Sequence, residues 1–175
     1  MENNVKNWEI LGIIFISILG SLFHFLFELS NYNIIVATFA AVNESIWEHL
    51  KLAFFPLLIF SAIEYLFVKE TANNFIIGKA AAGYLMPLVI VIIFYSYTAL
   101  LDTNLLIFDI VSFFIAVIIG QLVSLKILLS PQYSKTYIII SWMALIILAL
   151  IFLLFTFYPP ELTIFQDSTN GRYGI

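Results

Sequence analysis

Long apolar runs, each separated from the next by a few polar residues, set the plan of this chain. A helix needs about 20 predominantly apolar residues to cross the hydrocarbon core of a bilayer. Five stretches meet or approach that length, at 10–30, 52–68, 80–101, 105–129 and 137–158. The connections are short. Residues 69–79 carry Lys69, Glu70, Asn73, Asn74 and Lys79, and residues 130–136 read Ser-Pro-Gln-Tyr-Ser-Lys-Thr. Residues 102–104 read Asp-Thr-Asn, a tight turn placed to cap the start of the helix that follows. Pro159-Pro160 ends the last helix, because proline lacks the amide a helix needs. A polar tail over 159–175 remains. The pattern predicts an all-α, polytopic membrane helix bundle forming one domain over 1–175, with no internal repeat.

The stretch 33–50 breaks the rhythm. Its apolar part is too short to span, and it turns polar at Asn43-Glu44-Ser45-Ile46-Trp47-Glu48-His49-Leu50-Lys51. It reads as a re-entrant or interfacial segment that runs into the second spanning helix. Ser45 and Glu48 match the S-x-x-E capping box, which places a helix start there. Pro56 then predicts a kink further along.

Composition agrees with the pattern. The chain is 63% hydrophobic and 10% charged, whereas soluble domains average about 45–50% and about 25%. The excess apolar area needs lipid to cover it. The first apolar segment holds Phe23, Phe25 and Phe27 where a cleaved signal peptide needs small residues, so it reads as a retained helix. The chain has no cysteine, which excludes disulfides, thiolate metal sites and cysteine nucleophiles. Its net charge of −4 comes with no basic run, which argues against nucleic acid as a partner.

Lysine bias orients a five-crossing chain. The N-terminus and the loops 69–79 and 130–136 share one side, with Lys6, Lys69, Lys79, Lys126 and Lys135, against Lys51 and Arg172 on the other. The expectation is a protein of the cell membrane with a cytoplasmic N-terminus and an extracytoplasmic tail. The outer side then gathers His24, Glu28, Asn43, Glu44, Trp47, Glu48, His49, Asp102, Asp109, Glu161 and Asp167. His24 and Glu28, four apart, share a helix face.

Ionisable groups near membrane depth are costly and are either functional or paired. Two readings follow. In the plainer one, Glu44, Glu48 and Lys51 are a solvated helix start, His24–Glu28 is a packing pair, and Glu64 pairs with Lys126. Gln121 makes an interhelical hydrogen bond, and Trp8, Trp47, Tyr84, Tyr133, Tyr137 and Tyr158 form interfacial belts. In the sharper one, His24, Glu28, Glu48 and His49 form a catalytic centre. His24 with Glu28 would work as a general base. The two histidines with Glu28, Glu44 or Glu48 would hold a divalent metal such as zinc, the working set being His24, Glu28 and His49. No H-E-x-x-H motif is present, and no G-x-S-x-G elbow supports Ser21 or Ser45 as a nucleophile.

The block Ala41–Pro56, the preceding His24-Phe-Leu-Phe-Glu28 and the ending Pro159-Pro160…Phe165-Gln-Asp167…Gly171-Arg-Tyr-Gly174 together resemble a family of small, uncharacterised, multi-pass prokaryotic membrane proteins. The resemblance spans nearly the whole chain. It implies a membrane location and carries no activity. It directs attention to Asn43, Glu44, Trp47, Glu48, His49 and Lys51, flanked by His24, Glu28, Asp167 and Tyr173. The tail itself, with Phe165 and Tyr173 around a polar turn, is too aromatic for a disordered terminus. It should fold back beside the acidic cluster, with Arg172 pairing Glu44 or Glu48 as a lid.

Three functions fit the residues. One is a membrane-embedded enzyme acting on a lipid or lipid-linked substrate at the outer boundary. Another is a structural or accessory protein whose polar cluster only fixes the fold. The third, a small transporter subunit, predicts polar residues through the full depth and often a repeat.

Overall fold

The computed structural model describes residues 2–175. The chain is all-α. It contains α1 (Glu2–Leu29), α2 (Ile34–Ala37), α3 (Ile46–Val68), α4 (Phe75–Leu101), α5 (Leu106–Leu128) and α6 (Lys135–Phe157), then one 3-10 turn at Thr163–Phe165. All of these except α2 and the 3-10 turn are long and apolar enough to cross a membrane, which gives five candidate spans.

Four of the five candidate spans begin earlier than hydropathy alone predicts, α5 being the exception. The first starts at Glu2 because Val5, Trp8, Glu9, Gly12 and Ile16 continue a helical stripe inward through polar sequence. The second starts at Ile46, where Ser45 Oγ accepts from the Glu48 amide at 3.3 Å. Only that half of the capping box forms. The Ser45 amide goes instead to Asn43 Oδ1 (2.9 Å), and the Glu48 carboxylate is used elsewhere. The expected cap at 102–104 does not form either. Asp102 closes α4 in the left-handed region (φ 52°), Asn104 accepts from the Tyr97 hydroxyl, and Leu105 precedes α5 without a side-chain cap.

Alternating crossings create two ends. One joins the start of α1 to the α3–α4 and α5–α6 connections. Asn4 donates to the Phe67 carbonyl, and Trp8 stacks on Phe67. Asn74, left-handed at φ 50°, uses its side chain to bind the Ser130 hydroxyl, the Pro131 carbonyl and the Tyr133 amide. The opposite end collects α2, residues 38–45, the α4–α5 turn and the tail.

The apolar centre is built from α1, α3, α4, α5 and α6 around Ile16, Phe54, Leu57, Phe60, Met86, Val117 and Phe152. Close approach of α1 and α3 depends on Gly20. A Cβ there would collide with the Leu52 carbonyl oxygen and the Phe113 ring. That carbonyl is the one that Pro56, lacking an amide, leaves without its helical partner.

Candidate metal centre at one end of the bundle

Three side chains able to ligate a metal meet where α1, the 38–45 segment and α3 converge. His24 lies on α1 one position after the buried Phe23, and His49 lies in the first turns of α3. Glu44 stands just before the Ser45 cap, outside the helix. His24 Nε2 and His49 Nε2 are 3.1 Å apart. Glu44 Oε2 lies 3.6 Å from the first and 3.5 Å from the second. Both rings are about 30% exposed and the carboxylate 44%, so the group is open on one side.

The protonation pattern follows from one hydrogen bond. His49 Nδ1 sits 2.7 Å from the Ser45 carbonyl, which can only accept. Nδ1 therefore carries a proton, and Nε2 is the ring atom that faces His24 and Glu44. Glu44 brings a second acceptor. The His24 and His49 imidazoles beside it hold its carboxyl well below the usual carboxylate range, against a smaller opposing push from partial burial. A single proton serves one pair of these atoms at a time, whereas a cation between them serves all three. Zinc bonds of about 2.0–2.1 Å give a tetrahedral ligand-to-ligand edge of about 3.3–3.4 Å. The three observed separations bracket that value.

The remaining residues of the block hold this group in place. Asn43 donates to the Gly174 carbonyl at 2.8 Å while its Oδ1 takes the Ser45 amide. Trp47 packs against Phe152, Phe155 and Phe165, so it anchors the tail. Glu48 and Lys51 form a buried strut. Lys51 Nζ reaches Glu48 Oε2 (2.6 Å), Thr156 Oγ1 (2.8 Å) and the Ala37 carbonyl (2.9 Å), with both charged side chains 2% exposed or less. Glu48 also accepts from the Val42 amide and the Thr156 hydroxyl. Every donor of the ammonium is used, and α2, α3 and α6 are tied at one point.

The tail docks as its composition predicts. Asp167 Oδ1 accepts from the Thr169 amide and hydroxyl, and Oδ2 from Asn170. Burial pushes the Asp167 carboxyl up, but these donors outweigh it and the net shift is downward. Gln166 and Tyr173 bridge across the turn, Gly171 and Gly174 take positive φ, and Ser168 donates to the Glu44 carbonyl. Arg172 makes no ion pair with Glu44 or Glu48 among the described residues. Its backbone closes the turn through Asn170 and Asp167, and its side chain is exposed.

A polar cavity of about 250 Å³ adjoins the histidine–glutamate group, lined by His24, Glu28, Tyr32, Asn43, Glu44 and Asp167 among others. Glu28 thus faces the cavity without joining the two histidines; Glu44 occupies that place. Thr38 and Phe39 of the 38–45 segment, with Phe55, Ile59, Leu150 and Leu153, line a separate apolar groove of about 370 Å³. Sequence reasoning missed Thr156, whose only signal is a lone hydroxyl at the end of the most apolar helix. It also missed Glu9 and the burial of Lys79. Glu64 does not pair with Lys126. It meets Lys79 at 2.6 Å, and Lys79 meets Glu9 at 2.8 Å. Gln121 makes the interhelical bond expected of it, to the Glu9 carbonyl.

The family model for the family of unknown function DUF6512 matches residues 1–175, and the chain belongs to that family. Neither a curated protein nor a solved structure matches it.

Proposed function

We propose that this member of DUF6512 is a membrane-embedded, divalent-metal-dependent enzyme that hydrolyses a lipid or lipid-linked substrate at the membrane boundary. The observation that carries the reading is the convergence of His24 Nε2, His49 Nε2 and Glu44 Oε2 on one point beside an open cavity. Two histidines and one glutamate with an open position are a ligand set typical of catalytic zinc, whose role is to make a bound water nucleophilic near neutral pH. Around that point the chain's own groups divide the work. His49 is fixed in its ligating tautomer by Ser45. Glu28, exposed and lining the cavity, is placed to accept a proton from an attacking water. Asn43 and the Asp167 turn wall the cavity. The apolar groove beside Phe39 and Phe55 offers a seat for an acyl or isoprenoid chain.

The same reading places the N-terminus in the cytoplasm and the metal group outside. Lys51 and Lys79 are buried in ion clusters. The charge bias therefore rests on Lys6, Lys69, Lys126 and Lys135 against Arg172. The structural-protein alternative draws support from a different set of residues, the fully partnered Glu48–Lys51–Thr156 strut.

The test is hydrolysis in proteoliposomes that carry mixed phospholipids and isoprenoid phosphates. The reading expects cleavage that chelation abolishes and zinc restores, reduced at least ~100-fold in Glu28→Gln while metal stays bound. A metal-loaded protein that cleaves none of these lipids would overturn the enzyme reading and leave the metal centre standing.

A further inference from the structure

At the end of the bundle opposite the histidines, four helices place one ionisable or polar group each, or two, on a common point. Glu9 comes from α1, Glu64 from α3, Lys79 from α4, and Ser124 and Gln121 from α5. All five are essentially excluded from solvent. Glu9 Oε1 accepts from Lys79 Nζ at 2.8 Å and from the Ser124 hydroxyl at 2.6 Å. Glu64 Oε2 lies 2.6 Å from the same ammonium, close but off the hydrogen-bond direction. Glu9 Oε2, Glu64 Oε1 and Gln121 Oε1 are buried with no donor.

Two counts fail to close. With every group ionised, two carboxylates face one ammonium, which leaves one uncompensated negative charge inside the bundle. Acceptors also outnumber donors. Burying a charge without its counterpart is strongly unfavourable, and ionisable groups at membrane depth sit there for a partner or a function. Among the described residues no other charged side chain reaches the cluster: Glu9, Glu64 and Lys79 are the charges that face it, and α5 contributes only neutral groups.

One proton on either carboxyl closes the first count and narrows the second. It removes the excess charge and supplies an O–H donor. A hydrated cation would need room, and the packing leaves little. A Cβ on Gly12 would collide with the Gln121 amide and the Phe60 ring, and one on Gly78 would meet Leu128 and Ser124. Neither of the two cavities described above extends to this cluster. We propose that Glu9, Glu64 and Lys79 form a proton-binding site that holds one exchangeable proton on its carboxyl pair at neutral pH. The site is independent of the metal centre and of the hydrolase reading.

Infrared spectroscopy of the full chain in detergent, with glutamate carbon-13 labelled, tests this directly. The expected result at neutral pH is one protonated-carboxyl C=O band that shifts with the label and with deuterium exchange. It should disappear in Glu64→Gln or Glu9→Gln and persist in Glu28→Gln. A neutral amide stands in for the protonated carboxyl, so at least one of the two variants should melt no lower than wild type. Absence of a label-sensitive band at neutral pH would overturn the proposal, and that reading needs no variant to fold. A band that persists in both folded variants would also overturn it. A melting temperature that rises with sodium, without such a band, would overturn it in favour of a bound cation.

Discussion

His49 shows how much one backbone carbonyl decides. Because Ser45 O receives the Nδ1 proton, Nε2 is the ring atom left to face Glu44 and His24. Glu44 is the candidate ligand that spacing on a helix does not reveal, since it precedes the helix and reaches the group from a turn. Glu28, which shares a helix face with His24, lines the cavity without joining the group. Two predictions separate them. Glu44→Ala should weaken zinc binding by more than ~10-fold, the loss seen when even an outer-shell partner is removed. Glu28→Gln should leave zinc affinity within about two-fold, both read by competition with a chromophoric chelator. Lys51 gives a third residue-scale test. Lys51→Met strands Glu48 in a buried, uncompensated state and should cost about 3–5 kcal/mol. The double variant Lys51→Met/Glu48→Leu should recover most of that loss, as measured by thermal melting in detergent.

Among the elements, the tail and the 43–51 block behave as one unit. Asp167 keeps the turn closed, and the turn holds Asn43 and Glu44 from outside. The shift of Asp167 is downward, so its ionised form is favoured by folding. That contribution is present above the unfolded carboxyl value of about 3.9 and is lost as pH falls through the lower folded value. Trp47 fluorescence, which senses Phe165, should therefore report tail release only below about pH 4 in the wild type. Asp167→Ala should show the released signal already at neutral pH. Spanning helices and the S-x-x-E start were legible because hydropathy and capping are local signals. The tail motif was legible in part: Phe165 and Asp167 announced docking, but Trp47 as its receptor was not evident from an aromatic at a helix end. Helix α1 began earlier than its apolar run because Val5 and Glu9 are buried by other helices, a fact of tertiary packing that no window along the chain contains.

For the molecule as a whole, the two ends differ in how their charges are settled. The Glu48–Lys51 strut is neutral and fully partnered, the Glu9–Glu64–Lys79 cluster carries a surplus carboxylate, and the histidine centre is half open. The sequence placed polar residues at each end but paired them wrongly. Glu64 looked level with Lys126, yet Lys79 is brought to it by the packing of α4 against α3. Depth along a helix can be counted in residues, whereas which helix faces which cannot. Orientation is directly testable because the chain has no native cysteine. Ser168→Cys should react with a membrane-impermeant thiol reagent in intact cells, and Lys135→Cys only after lysis. The central claim is the metal centre, and metal content of detergent-purified protein measures it most directly. Near-stoichiometric zinc or iron in the wild type, lost in both His49→Ala and Glu44→Ala while the helical fold persists, is the predicted result. A folded wild type that stays metal-free after incubation with zinc would contradict it.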